Sequence, residues 1–106
     1  MSRTIWKFDL GNKIHSEHDL PAGAKFRHTG LDPAGKLCIW MQVDDEATDM
    51  ERHTFGVFNT GQAIPDDWTY WGSIKVGTFI LHVHHYDKVE PVIVDELGLD
   101  EPGQGE

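Results

Sequence analysis

Two histidines separated by a single residue, His82 and His84, form the pair in this chain best placed to do chemistry together. On a β-strand both imidazoles leave the same side with Cα atoms about 7 Å apart, a spacing that can chelate a transition metal. Two ligands do not make a site, and no metal is expected from them alone. Around them lie Trp71 and Tyr86, which with His84 could clamp a planar group while Lys75 or Arg52 meets a phosphate. Asp66-Asp67 offers two adjacent carboxylates for acid–base work, but after Pro65 and before Trp68 they read as turn and cap residues. His15, His18 and His28 are scattered. Cys38, inside Leu37-Cys38-Ile39-Trp40, reads as a packed thiol rather than a reactive one. The chain holds no Ser-His-Asp or Cys-His layout, phosphate loop or dinucleotide fingerprint, so neither an enzyme nor a cofactor is expected.

Positioning these residues falls to strands, because alternation of apolar and polar residues recurs while no window carries a helical period. Strands are expected over residues 4–8, 13–18, 24–29, 36–43, 51–58, 68–76 and 79–86, with Val92-Ile93-Val94 as a candidate last edge strand. Turns every 8 to 12 residues point to an all-β fold, a small antiparallel β-sandwich or barrel of about seven strands. The stretch from Asn59 to Trp68 is loop chemistry, with one helical turn expected after Pro65.

The last hairpin can be set in register. Val76-Gly77-Thr78-Phe79 fits a two-residue type II′ turn, which needs Gly at its first central position. If pairing continues regularly from Val76 opposite Phe79, one face carries Trp68, Tyr70, Ile74 and Val76 with Leu81, Val83 and His85, as a core side. The other carries Trp71 opposite His84, Ser73 opposite His82 and Thr69 opposite Tyr86, together with Lys75 and Ile80. That second face is the candidate binding surface.

Charge narrows the partners. The formal charge is −9, yet residues 1–43 hold six basic and four acidic side chains, whereas residues 44–106 hold three and fourteen. The acid sits in the 44–51 loop and in the last twenty residues, whose end is expected to be a disordered acidic tail. A single domain over 1–90 is expected, with 91–106 as an edge strand and flexible tail. Duplex nucleic acid is not expected as a main partner, nor an anionic membrane, since both demand clustered Lys and Arg. With one Cys, no membrane-length apolar run and no signal-like start, a reducing cytoplasm is the expected compartment. A small anionic ligand remains compatible with the basic first part.

Phe58-Asn59-Thr60-Gly61-Gln62-Ala63-Ile64-Pro65-Asp66-Asp67-Trp68-Thr69-Tyr70-Trp71-Gly72-Ser73 resembles the signature of a family of short bacteriophage and prophage proteins of unassigned function. The family pattern runs Phe-Gly-Thr-Gly-x-x-Ile-x-Asp-Asp-Trp-x-Tyr-x-Gly-Thr; Asn59 replaces its first Gly and Ser73 its last Thr. Ile5-Trp6-Lys7-Phe8, Leu20-Pro21-Ala22-Gly23-Ala24 and Phe79-Ile80-Leu81-His82-Val83 extend the likeness over residues 5–86. A weaker likeness, of Gly77, His82, His84 and Glu90 to the first metal motif of the cupins, fails on spacing and on the lack of any downstream His. The phage resemblance implies an origin rather than a reaction. It leads to the expectation of a homo-oligomeric accessory protein in the host cytoplasm that binds and inhibits a host protein through the Trp71/His82/His84/Tyr86 face and the 44–51 loop. Two alternatives accompany it: sequestering a nucleotide-type signal in a pocket or subunit interface, and a minor virion component.

Overall fold

Eight strands carry the chain in the computed structural model, which describes residues 2–11 and 13–93. They are β1 (Arg3–Asp9), β2 (His15–Pro21), β3 (Lys25–Leu31), β4 (Leu37–Asp44), β5 (Met50–Asn59), β6 (Trp68–Val76), β7 (Phe79–Tyr86) and β8 (Glu90–Val92). None of the described residues is helical. The helical turn expected after Pro65 is replaced by a turn at Asp66-Asp67, because the Asp67 carbonyl is taken by the Asp87 N–H at 2.8 Å and so leads directly into β6. The last strand starts at Glu90 rather than Val92. The tail reading falls on residues 94–106, outside those described.

Two antiparallel sheets result, a sandwich rather than a barrel: β1-β4-β3 in sheet A, and β2-β5-β7-β6 in sheet B with β8 beside β5. Period-2 alternation decides what lies between them. Leu37, Ile39, Met41 and Val43 of the central strand β4 meet Leu20, Phe55 and Val83 of sheet B, with Leu10 at the crossing between sheets. Each fully buried aliphatic side chain of this kind contributes about 1.5–3 kcal/mol. Cys38, on the other side of β4, is also fully buried, and burial pushes its thiol pKa up. The β1–β2 link is tied to both sheets, by Leu10 N–H donating to the Leu37 carbonyl (3.0 Å) and Val57 N–H to the Ile14 carbonyl (2.8 Å).

One local irregularity changes which side chains face out. From Val76↔Phe79 to Gly72↔Val83 the β6–β7 register is the expected one, and Gly77 has the φ of +60° that its turn requires. A bulge between Tyr70 and Gly72 then shifts it, so that Tyr70 faces His84, Thr69 faces His85 and Trp68 faces Tyr86. The expected pairs Trp71–His84 and Thr69–Tyr86 do not form. Gly72 supplies the bulge with φ +128°, a conformation L side chains rarely adopt, and a Cβ there would lie 3.2 Å from Thr29 Cβ. The displaced Trp71 carbonyl accepts the Thr29 hydroxyl at 2.7 Å, which links β3 of sheet A to β6 of sheet B.

Candidate functional site

Past the bulge, parity inverts. Trp71, expected on the outer face, turns into the sandwich, where its ring stacks on Phe26 (centroids 4.5 Å) and on His85 (4.2 Å, planes within 6°). His85 Nε2 lies 2.8 Å from His53 Nδ1, one ring donating to the other. His18, paired with His53 across β2 and β5, packs between Phe8 and Phe55. All three imidazoles are held toward the neutral form by burial, His85 down to about 4, with the His53 charge adding to the effect. Among the described residues no three His, Cys, Asp or Glu are placed to hold a metal ion. His53 and His85 thus partner each other as packed rings, while His18 Nε2 and His53 Nε2 are buried without a hydrogen-bond partner.

Trp68 and Tyr70, expected in the core, stand instead on the outer face of sheet B with His82, His84 and Tyr86. Trp68 lies against Phe58 and Tyr86 and stacks on His15 at 5.3 Å. Its ring occupies the space above Gly56, where a Cβ would approach both Trp68 and Phe58 to 2.9 Å. His84 is buried between Phe58 and Tyr70, and its desolvation lowers its pKa. Tyr70, Ser73, His82 and Thr60 form one hydrogen-bonded chain: Tyr70 Oη to Ser73 Oγ at 2.6 Å, Ser73 Oγ to His82 Nδ1 at 2.6 Å, and His82 Nε2 to Thr60 Oγ1 at 2.8 Å. Ser73 and His82 thus make the contact of a nucleophile with its base. The group orienting the imidazole is a neutral hydroxyl, which cannot stabilise an imidazolium as a carboxylate does. The arrangement holds the Tyr70 and His82 rings in place through the Ser73 and Thr60 hydroxyls.

Of the six residues singled out from sequence, His82, His84 and Tyr86 share this face. Lys75 is exposed beyond Ser73 on the same strand, opposite Ile80. Trp71 lies on the opposite side of the sheet. Arg52 sits six residues from Phe58 along β5, about 20 Å at strand rise, and its guanidinium is held by Asp19 at 2.9 and 3.4 Å. Sequence reasoning passed over Tyr70, Trp68 and Thr60. The one available signal was Ser73, correctly set opposite His82.

The end of the sandwich that holds the β1–β2 link, the β3–β4 turn and the β6–β7 turn opens into a cleft of about 540 Å³. Ile14, Leu31, Leu37, Val57, Val76 and Leu81 supply its apolar walls, and Lys13, Lys36 and Asp9 its charges.

Fold and faces together define a class: a two-sheet antiparallel β protein with a hydrogen-bonded aromatic and histidine surface on one side. The chain belongs to DUF7352, a domain of unknown function whose family model matches residues 1–93. No curated protein and no solved structure matches it.

Proposed function

We propose that this chain is a small non-enzymatic phage accessory protein that binds and inhibits a host protein in the host cytoplasm, using the outer face of sheet B. The observation that carries the reading is Tyr70, 57% exposed yet held by Ser73 and flanked by His84. Exposed aromatic side chains with a polar tip supply much of the energy of protein interfaces, and one already fixed in place loses little rotamer freedom on binding. Trp68, Tyr86 and the exposed Ile80 continue the surface. The acidic loop over 44–49 lies beyond the far end of β5 and forms a separate patch, which contributes charge rather than anchors.

The test is quantitative capture from infected-host lysate by the tagged wild type and by a Tyr70→Ser/His82→Ala variant of unchanged circular dichroism. A host protein retained in near-stoichiometric amount by the wild type, lost with the variant, and inhibited by the purified wild type supports the reading. Equal capture by both removes this face from the function, and stoichiometric presence in purified virions replaces the reading with a virion role.

A further inference from the structure

We infer that the cleft at the open end of the sandwich is a binding site for an amphiphilic anion, a medium-length alkyl or branched carboxylate. Its walls come from both sheets: Leu31 and Leu37 from sheet A, Val57, Val76 and Leu81 from sheet B, and Ile14 from the link between them. A volume of about 540 Å³ falls within the range of small-molecule sites. Among the described residues no aromatic ring lines it, so it offers nothing on which a nucleobase would stack, and its aliphatic walls suit an aliphatic body. Exposed apolar side chains also border the cleft. Ile14 is 66% exposed, Leu31 42%, and Phe79, opposite Val76 at the hairpin tip, 65%. Large apolar side chains left in water on the β1–β2 link, the end of β3 and the start of β7 favour a surface that another molecule covers.

The rim chooses the head group. In a chain of charge −9, two of the three charged lining residues are Lys13 and Lys36, carried on different loops. Lys13 makes no ion pair among the described residues. Lys36 Nζ is 3.7 Å from Asp9 Oδ2, an exposed pair of little energy that a ligand carboxylate can replace. The loop bearing Lys36 is rigid, because Asp32 Oδ1 accepts the N–H groups of Ala34 and Lys36, both at 2.9 Å, while Lys7 Nζ donates to Asp32 Oδ2. On the other loop, Gly11 N–H donates to Asp9 Oδ1 at 2.6 Å. Lys36 is thus presented from an ordered turn, and Lys13 joins it in lining the same apolar cleft, two cations for one carboxylate.

The probe is decanoate, titrated calorimetrically into the full chain below its micelle concentration, with decanol as the uncharged control. The expected result is one-to-one binding of decanoate, at least about tenfold tighter than decanol. In Lys13→Glu/Lys36→Glu the decanoate affinity falls by at least about tenfold while decanol binding is unchanged. Ile14→Asp, placed in the mouth at an exposed position, weakens both. No heat and no thermal shift with decanoate at millimolar concentration would overturn the inference, as would equal binding of acid and alcohol or indifference to the double charge reversal. Since these variants leave the Tyr70 face untouched, the outcome is independent of the host-protein reading.

Discussion

His82 and His85 lie three residues apart on β7 and are opposites in role. His85, on the inner side of β7, is stacked flat on Trp71, bonded to His53 and packed against Phe55. On the outer side, His82 takes the Ser73 and Thr60 hydroxyls as partners, while His84 beside it is buried between Phe58 and Tyr70. The same residue type is thus a packing unit on one side and an addressable polar group on the other. Residue type does not decide between these roles; strand parity does, and in β6 parity is reset by one bulge.

Removing that bulge should give the largest effect. Gly72→Val places a β-branched side chain at φ +128° and against Thr29, which combines backbone strain of about 1–3 kcal/mol with overpacking of about 1–3 kcal/mol. We expect a loss of about 3 kcal/mol or more in urea unfolding, together with loss of the near-ultraviolet signal of the Trp71 stack. A loss below about 0.5 kcal/mol, the range of neutral surface changes, would show that the bulge does not separate the two faces.

Acid should act next, and through the inner group. Unfolded, His85 takes up a proton near pH 6.5, whereas folded it does so only near 4, so between these values the unfolded chain binds the extra proton. Its contribution is therefore complete above pH 6.5, shrinks as pH falls and is gone below about 4, a loss of at most about 3 kcal/mol. The charges facing the group are few: Glu51 near His53, Asp87 near His85, and Lys13, Asp19 and Asp9 around His18. Urea unfolding from about pH 7.5 to 4.5 measures the slope. In His53→Leu/His85→Phe, which keeps a ring on Trp71, it should fall by at least half; an unchanged slope would place the acid sensitivity elsewhere.

The smallest effect belongs to the outer chain. Ser73→Ala removes the link between Tyr70 and His82, both solvent-accessible, and should change stability by no more than about 0.5 kcal/mol. It should nonetheless broaden the His82 ring resonances, because the ring loses its Nδ1 partner. A cost above about 2 kcal/mol would mean that the outer network is structural, as the inner one is.

The strands were readable because alternation with period 2 is written directly in the chain: 68–76 and 79–86 coincide with β6 and β7 to the residue. The II′ turn and the Ser73–His82 pairing followed from Gly77 and simple counting. The exchange of Trp71 for Tyr70 was not readable, since a bulge adds one residue without disturbing local composition, and Gly72 alone does not say whether it kinks or merely thins the strand. The end cleft was equally hidden. Its walls come from strands and loops far apart in the chain, and no local pattern records that Ile14 and Val76 will border the same space.

Composition and patterning by themselves determined that this is an all-β chain with one core, a buried thiol at Cys38 and acid concentrated after residue 43. Those properties depend on residues next to one another or on their sum. Tertiary structure decided the division into two sheets, the inward turn of Trp71, the outward display of Tyr70 and the placing of Lys13 and Lys36 on one apolar cleft. Each of these depends on a non-local contact, above all the Thr29 hydroxyl donating to the Trp71 carbonyl, whose partners lie far apart in the sequence and come together only when the sheets close on their shared core.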